Sequence, residues 1–450
     1  MYSGWKKYRR HLTRRRSLVG LLSVLAVIML VAAACGEEAT PTPIPATSTP
    51  VIPATPTSGP PLPTATPVSG ATATPRPPAT ATSVPTDGLR PLSEWTADNP
   101  ATLAEIEAEL EKYRGDSFVF TSWGGAYQAA QRQAYLIPFQ DQFGIQIIEE
   151  SPVEYAKIRA MSEAGNVTWD VVVSGNRALW QLGPEGTLEE LTPAIHNGYW
   201  DGFPDITRTP WGAGGGDMWS TGIAYSLESY PNHQGAPKSW ADFWDVEGFP
   251  GRRGLLARPN EDIFFAYLAA HPELFDTAEG RASLPSLTDA QLDEAFDMLR
   301  QIKPDITRWW TSGSECPQLL LSGELDMCAA WNGRIYDAQQ AGAPIYYCFE
   351  CGHLMQMESY YIPKGSPNKE LAELFIAWMG FPEQAMRIAL FITYGPLNQD
   401  ALPFLEAVAS PELLAAMSTS YPESAIVVDE NWLGTNVDAL TERMQAFLAE

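Results

Sequence analysis

The hydrophobic pattern of this chain changes repeatedly between two periods from about residue 117 onward. Short β-type runs such as Ser117 to Ser122 and Trp169 to Val173 end near glycine or small polar residues, and helical patterns such as Tyr127 to Phe139 and Asp289 to Ile302 alternate with them. A strand, a glycine turn, a helix and a second strand are typical of a βαβ unit. The pattern therefore predicts an α/β fold, in which ligands bind at the carboxyl ends of parallel strands.

The other periodic segments complete the predicted order of elements. Further strands are predicted over Gln146 to Glu149, Met218 to Tyr225, Arg253 to Ala257, Leu325 to Ala330, Ile345 to Phe349 and Ser359 to Ile362. Further helices are predicted over Ala101 to Tyr113, Pro317 to Leu321, Asn368 to Met379, Pro382 to Phe391, Pro411 to Met417 and Val437 to Leu448. The last third of the chain is thus predicted to be mainly helical.

The first 34 residues have the layout of a signal peptide. Seven Lys and Arg residues and no acid precede an apolar run from Leu18 to Ala34, which ends in small residues directly before Cys35. This boundary resembles the bacterial lipobox, in which the cysteine is diacylated, and two lipid chains anchor a protein stably. A membrane-spanning anchor is the alternative, because the 17-residue run is at the short limit for a span. We expect the rest of the chain outside the cytoplasm, on the outer face of the cell membrane.

Residues 40 to 86 form a segment rich in proline and threonine. It holds 14 Pro and 13 Thr among 47 residues, and Arg76 is its only charge. Such a composition cannot form a core and favours extended, polyproline-like conformations. We interpret the segment as a tether through the cell envelope, and a glycosylated or interacting stalk is compatible with that interpretation.

The part of the chain after the tether is long and acidic. About 360 residues follow Leu89, which is enough for two lobes with their own cores. Removal of the seven leader cations takes the formal net charge from −25 to −32. A charge of this sign repels nucleic acid and favours cationic ligands, although the solubility of an extracellular protein explains it equally well.

Besides Cys35, the chain has four cysteines, which are Cys316, Cys328, Cys348 and Cys351. An even number in an oxidising compartment predicts up to two disulfides, and the sequence leaves all three possible pairings open. Cys348 and Cys351 have the spacing of zinc ligands, but no second CxxC pair exists, so a zinc site is the weaker alternative. We predict no metal and no other cofactor.

The sequence lacks the motifs of common hydrolases. Its five histidines show no HExxH spacing, and it contains no GxSxG nucleophile elbow. We therefore expect a binding protein rather than an enzyme. An exported hydrolase and a surface adhesion protein presented by the tether are the alternatives from other functional classes.

Six short segments occur in a recognisable order along the chain. They begin at residues 122, 165, 239, 330, 361 and 394 and read SWGGAY, GNVTWDVV, SWADFWD, AWNG, YIPKGSPNK and YGP. Their order and spacing together resemble the spermidine/putrescine-type extracellular solute-binding proteins of ATP-driven importers. The resemblance covers about residues 116 to 400.

The resemblance implies a two-lobed periplasmic-binding-protein-like type II fold, with hinge strands and a ligand cleft between the lobes. It also implies a monomer that captures a small molecule and delivers it to the permease subunits of an ABC importer. The implied division is 1–34 signal peptide, 35–88 lipidated cysteine and tether, 89–115 N-terminal helix, 116–222 first lobe, 223–355 second lobe, 356–400 return to the first lobe and 401–450 C-terminal helices.

The resemblance further implies which residues face the cleft. Trp123 and Trp331 match cleft aromatics, and Asp262 and Glu358 match positions at which polyamine binders set carboxylates against ammonium groups. An ammonium group removed from water needs such a partner, and an aromatic face adds about 0.5–2 kcal/mol by cation–π attraction. The remaining candidate contacts are Tyr127, Asn176, Thr221, Ser312, Arg334, Gln356 and Tyr394.

Two positions depart from the polyamine-binding pattern. Pro259 stands where polyamine binders carry an acid, and Gln356 replaces an aromatic residue. A small cationic, polyamine-like solute is the principal expectation, but the missing acid leaves room for an amino acid or an opine-like solute, whose carboxylate Arg334 would bind. Ferric ion is a further alternative because Tyr360 and Tyr361 resemble the tyrosine pair of ferric-ion binders, although adjacent residues of a strand face opposite ways.

Overall fold

The computed structural model describes residues 88–204, 207–213 and 216–450. The predicted signal peptide, the lipidated Cys35 and nearly all of the proline- and threonine-rich tether lie outside these residues. Among the helices that the structure describes, none has both the length and the apolar composition needed to cross a membrane.

The strands form one mixed sheet. Its main path has the order β2-β1-β3-β10-β5-β8-β6-β7, and β4, β9, β11 and β12 pair with the two long strands β5 and β10. The strands are β1 Ser117–Thr121, β2 Gln146–Glu150, β3 Val171–Gly175, β4 Gly212–Ala213, β5 Asp217–Ser226, β6 Arg253–Leu256, β7 Ile306–Trp310, β8 Met327–Trp331, β9 Ile345–Cys348, β10 His353–Tyr361, β11 Gly395–Pro396 and β12 Ala425–Val427.

Helices connect and cover the strands. The α-helices are Leu103–Leu110, Gly125–Gln131, Ile137–Phe143, Tyr155–Ala164, Arg177–Leu182, Pro193–Trp200, Trp240–Trp244, Pro259–Ala270, Ala278–Ala282, Asp289–Ile302, Glu315–Leu321, Asn332–Gln340, Lys369–Gly380, Pro382–Ala385, Leu402–Glu406, Pro411–Ala415 and Glu430–Ala449. A π-helical segment, Arg132–Leu136, joins the second and third of these helices. The helix Asp289–Ile302 shows why they form: Thr288 and Gln291 make a capping box, and Leu292, Phe296 and Leu299 bury one face.

Two large hydrophobic cores divide the chain between them. One core joins β6, β7, β8 and β9 to the helices Pro259–Ala270, Asp289–Ile302 and Glu430–Ala449. The other joins β1, β2 and β3 to the helix Lys369–Gly380. β3 reads as a continuous apolar run because both of its faces are covered, with Val171 and Val173 in this core and Val172 in a smaller one.

The strands β5 and β10 belong to both halves of the sheet. β10 pairs with β5 through Leu354 to Met357 and with β3 through Glu358 to Tyr361. β5 begins beside β10 and β11 and ends beside β8 and β9. These two antiparallel strands connect the two halves, as the hinge strands implied by the family resemblance would, and the predicted α/β fold class is confirmed.

Several elements differ from the sequence-based prediction. β7 was not predicted, although its Trp310 is wholly buried and pairs in the sheet with Leu256. β10 begins six residues earlier than the predicted strand at Ser359 and is buried along its entire length. The C-terminal helix begins at Glu430 rather than Val437, because the Asp429 side chain accepts hydrogen bonds from the first backbone N–H groups.

The four cysteines form two disulfides, Cys316–Cys328 and Cys348–Cys351. The first links the helix Glu315–Leu321 to β8, and the second closes the turn between β9 and β10. The structure thus selects one of the three cysteine pairings that the sequence left open. Within the described ranges no group of His, Cys, Asp and Glu side chains has the arrangement of a metal site.

Candidate functional site

A cavity of about 580 Å³ lies where the two halves of the chain meet. The β1–β3 half contributes Trp123, Gly124, Gly125, Ala126, Tyr127, Tyr155, Gly175 and Arg177. The half built on β6–β8 contributes Arg258, Asn260, Glu261, Thr311, Ser312, Gly313, Ser314, Trp331 and Arg334. The connecting strands add Trp219, Gln356 and Glu358, and Tyr394 completes the lining. Its size is in the range of small-molecule sites.

Aromatic rings form one wall of this cavity. Trp331 ends β8 and packs edge-to-face against Trp219 at 5.4 Å and against Trp310 at 5.6 Å between ring centroids. Gly313 permits this arrangement, because a Cβ atom there would lie 2.3 Å from the Trp331 ring. The Arg258 guanidinium lies 5.2 Å from the ring centroid of Trp331. The wall is therefore apolar in its body and positively charged at one edge.

Glu358 is a buried carboxyl that faces the cavity from β10. Its only side-chain hydrogen bond within the described residues comes from the Trp123 indole N–H, at 3.3 Å. Burial raises the pKa of Glu358 to about 8, the neighbouring Asp217 carboxyl adds to the rise, and the bond from Trp123 opposes it. A carboxyl with so little compensation is ready to accept a cationic partner.

Asp217 and Tyr127 lie next to Glu358. The Tyr127 hydroxyl donates a hydrogen bond of 2.7 Å to Asp217, whose other carboxylate oxygen has no partner in the described part of the chain. Burial raises the pKa of Asp217 to about 7, and the hydrogen bond from Tyr127 lowers it. Tyr127 also packs against Tyr394 with 6.0 Å between ring centroids. Asp217 is therefore a second buried, weakly ionised acid next to Glu358.

Glu261 is the second carboxyl that lines the cavity. It lies in the first turn of the helix Pro259–Ala270, is wholly buried, and neither of its oxygens forms a hydrogen bond within the described residues. Burial raises the pKa of Glu261. The positive charges of Arg258 and Arg177 and the polar N–H groups of the Gln356 and Trp331 side chains nearby lower it. Its position at a helix N-terminus favours the ionised form.

Three guanidinium groups share the cavity with these two carboxyls. The Arg177 side chain stacks on the Tyr155 ring at 5.6 Å and forms no hydrogen bond or ion pair with any other described residue. Arg258 donates to the Thr311 carbonyl at 3.0 Å, and the Nε of Arg334 is buried without a partner among the described residues. Burial acts to lower the pKa of Arg177, but its surroundings outweigh that effect and raise it, through Tyr155, Glu430, Glu261 and Glu358. The cavity thus presents both signs of charge.

Most of the residues that the sequence nominated meet at this cavity. Those that line it are Trp123, Tyr127, Ser312, Trp331, Arg334, Gln356, Glu358 and Tyr394. The alternation of β10 explains part of this set, since residues two apart share a face and Gln356 and Glu358 both point to the cavity. Their roles in binding a ligand stay predictions.

Three nominated residues are not among those that line the cavity. The Asn176 amide oxygen accepts a hydrogen bond from the Ser359 hydroxyl at 3.2 Å, so its side chain is turned toward β10. Thr221 is wholly buried in β5, opposite Trp331. Asp262 is wholly buried outside the cavity lining, where burial raises its pKa well above the usual value and the neighbouring Glu261 adds to the rise.

Several lining residues were not predicted from the sequence. Arg177 directly follows the nominated Asn176, and Glu261 directly precedes the nominated Asp262. In both pairs the polar segment after a strand was identified, but the residue that lines the cavity is the neighbour of the nominated one. Trp219 carried a usable signal, because strand alternation places it on the same side of β5 as Asp217, a charged residue in an otherwise uncharged run.

Comparison with known proteins places these features in a family context. A family model described as bacterial extracellular solute-binding protein matches residues 134–431. The chain is 35% identical over 344 residues to a gamma-aminobutyric acid-binding protein of Pseudomonas aeruginosa, a match that covers 76% of this chain and 94% of that protein. It is 25% identical over 314 residues to a spermidine/putrescine-binding periplasmic protein of Haemophilus influenzae, covering 67% and 81% of the two chains.

A solved structure agrees with these matches. An ABC transporter substrate-binding protein from Bradyrhizobium japonicum superimposes with a TM-score of 0.65 and 32% identity, and the match covers 74% of this chain and all of that one. The resemblance inferred from the six sequence segments is thus confirmed at the level of the family.

Proposed function

Since this chain belongs to the bacterial extracellular solute-binding proteins, the substrate-binding components of ABC importers, we propose that its solute is a linear ω-amino acid of the 4-aminobutyrate kind. Such a molecule has an ammonium group and a carboxylate at opposite ends of a short methylene chain. The proposal refines the expectation of a cationic, polyamine-like solute, because it adds a negative end to the ligand.

One observation carries the proposal: the cavity holds side chains of both charges that have no ion-pair partner among the described residues. Glu261 has no hydrogen-bonded partner in the described part of the chain and Glu358 has one, from Trp123, so a ligand ammonium group at either acid would supply a missing partner. The Arg177 guanidinium forms no ion pair within the described residues, so it is free to bind a carboxylate with two parallel hydrogen bonds. The relative named for gamma-aminobutyric acid supports the same ligand class.

The aromatic wall suits the methylene chain between these ends. Trp331 and Trp219 present an apolar surface on which alkyl carbons would pack, and burial contributes about 0.8 kcal/mol for each CH₂ group.

A diamine fits the same charges less well. Its second ammonium group would approach Arg177, Arg258 or Arg334, and a buried like-charge contact is unfavourable. Pro259, which stands where polyamine binders carry an acid, supplies no further anionic partner. The cavity therefore favours one ammonium group with one carboxylate over two ammonium groups.

Two ligands that differ only at one end test the proposal. Titration calorimetry would compare 4-aminobutyrate with putrescine, which replaces the carboxylate by an aminomethyl group. We expect the wild-type chain to bind 4-aminobutyrate at least about tenfold more tightly. Arg177→Gln should weaken 4-aminobutyrate by about tenfold or more without weakening putrescine, whereas Glu358→Gln should weaken both ligands. Tighter binding of putrescine by the wild-type chain would refute the proposal.

We further propose that Cys35 is lipidated and that the proline- and threonine-rich segment carries the binding unit away from the membrane. The support is the sequence boundary Val31 to Gly36, which follows a basic and then apolar leader. Incorporation of labelled fatty acid into the wild-type chain but not into Cys35→Ser would support the anchor. Equal labelling of the two chains would contradict it.

A further inference from the structure

A second cavity of about 370 Å³ adjoins the one described above. The two cavities share the lining residues Tyr155, Arg177, Arg258 and Asn260. The helix Glu430–Ala449 lines the second cavity with Val437, Asp438, Thr441, Met444 and Gln445. Arg177, at which the proposed ligand carboxylate would lie, therefore borders both spaces.

The second cavity is predominantly cationic. Arg159 lines it together with Arg177 and Arg258, and Asp438 is the one acid among the residues that line it. The Asp438 carboxylate is already engaged, since it accepts two hydrogen bonds of 3.3 Å from the Gln181 amide. Each lining holds three arginines, but Glu261 and Glu358 line only the first cavity, so the second has the larger excess of positive charge.

Arg159 differs from Arg177 and Arg258 because it lines the second cavity and not the first. It forms a bidentate ion pair with Glu185, with distances of 2.7 and 2.8 Å, and both side chains are partly exposed. Glu185 is not part of the lining. An exposed pair of this kind contributes little to stability, so Arg159 can exchange or share its partner at low cost.

We propose that the second cavity is a subsite for a further anionic group at the carboxylate end of the solute. Resting on the proposed function, this extends the solute class from 4-aminobutyrate to compounds with one terminal ammonium group and two or more anionic groups at the opposite end. The ammonium group occupies the first cavity, Arg177 binds the anion at the junction, and Arg159 contributes to binding of the outermost anion. The Tyr155 hydroxyl, buried without a partner in the described part of the chain, supplies an additional donor at the junction.

Calorimetry on the full-length chain with two probes tests the subsite. The probes are 4-aminobutyrate and 4-aminobutyryl-aspartate, in which an amide replaces the carboxylate of 4-aminobutyrate and the aspartyl group carries two carboxylates beyond it. We expect the extended probe to bind at least about fivefold more tightly to the wild-type chain. Arg159→Gln should weaken the extended probe by about fivefold and leave 4-aminobutyrate within about twofold. Glu185→Gln is the matched control, because it breaks the same ion pair but retains the cation, and it should weaken neither probe.

Each other outcome has a defined meaning. If 4-aminobutyrate binds, the extended probe gains nothing and Arg159→Gln weakens neither, the subsite is refuted while the proposed function stands. Equal losses in Arg159→Gln and Glu185→Gln also refute it, since the ion pair would then matter only structurally. An Arg159-dependent response to inorganic phosphate alone, without preference for the extended probe, would assign the cavity to a free anion and overturn the inference. If neither amino compound binds, the proposed function fails and the subsite fails with it.

Discussion

Glu358 makes solute binding depend on pH in a way that its surroundings predict. Burial is the largest cause that raises the pKa of Glu358 to about 8, and the carboxyls of Asp217 and Glu430 raise it further. The hydrogen bond from Trp123 and the positive charge of Arg177 lower it. At pH 7 a group with this pKa is protonated in about nine of ten molecules. An incoming ammonium group requires the ionised form, so binding should release a proton.

The size of the effect follows from the pKa. Ionising Glu358 at pH 7 costs about 1.4 kcal/mol for each unit by which its pKa exceeds the pH, which is a factor of about ten in affinity. The Kd for 4-aminobutyrate should therefore fall about tenfold from pH 6 to pH 7 and level off above about pH 8. The ligand itself does not titrate in this interval, since ordinary carboxyl and alkylammonium pKa values lie outside it.

Calorimetry in phosphate and in Tris measures the released proton directly, because the two buffers differ in ionisation enthalpy. We expect about 0.9 proton released at pH 7 by the wild-type chain. Glu358→Gln should reduce this release and flatten the pH dependence. Glu373→Gln is the control, since Glu373 is also buried with a raised pKa but lies outside the cavity. A wild-type affinity that does not change with pH, or a slope that persists in Glu358→Gln, would refute the reasoning.

The stability of the unliganded protein should decrease with rising pH, whereas its affinity for the ligand should increase. Burial raises the pKa of Glu358 to about 8 and those of Asp217 and Glu430 to about 7, so the folded state holds more protons than the unfolded state above the ordinary carboxyl pKa. The free energy of unfolding should therefore fall as pH rises from about 5 to 8. The additional stability conferred by 4-aminobutyrate should increase over the same interval. Thermal unfolding with and without the ligand measures both trends, and parallel trends would contradict this account.

The remaining predictions concern the site and the disulfides. Glu261→Gln should weaken 4-aminobutyrate by about tenfold, whereas Asp262→Asn, one residue further along, should leave its Kd within about twofold; equal losses in calorimetry would contradict the choice between them. Trp331→Ala should weaken 4-aminobutyrate by about fivefold or more, and an unchanged titration would exclude a ligand contact. Replacement of both Cys316 and Cys328 by serine opens a bridge with a sequence separation of 12 and should lower the free energy of unfolding by about 3 kcal/mol. Urea denaturation measures that loss, which would be below 1 kcal/mol if the bridge were dispensable.

The family resemblance led to the cavity but did not identify all of its charges. It nominated Trp123 and Trp331, and the position of Arg334 beside Trp331 made this arginine a candidate for a ligand carboxylate; all three line the cavity. The resemblance did not separate Glu261 from Asp262. The helix that carries both is buried on nearly every side over Pro259–Leu268, so its sequence has no polar face from which the orientation of an individual residue can be inferred.

The cations required knowledge of tertiary contacts. Arg177 reads as an ordinary residue at the start of a helix, and only the fold brings it near Glu261, Glu358 and Glu430. The second cavity depends on the helix Glu430–Ala449, which lies about 250 residues from Arg177 and packs against the helix Arg177–Leu182. A sequence pattern reports local periodicity, and it carries no information on which distant helix will close a cavity.

β10 explains why a site with so many unsatisfied charges is compatible with a stable fold. Alternation places Met355 and Met357 in the hydrophobic core and turns Gln356 and Glu358 toward the cavity. Without a ligand, protonation of Glu358 avoids the cost of a buried charge. An ammonium group that enters the cavity needs the ionised carboxyl, so the free energy of deprotonation is subtracted from that of the ion pair. Because β10 pairs with strands of both halves, a ligand held at Glu358 also contacts one of the two strands that connect them.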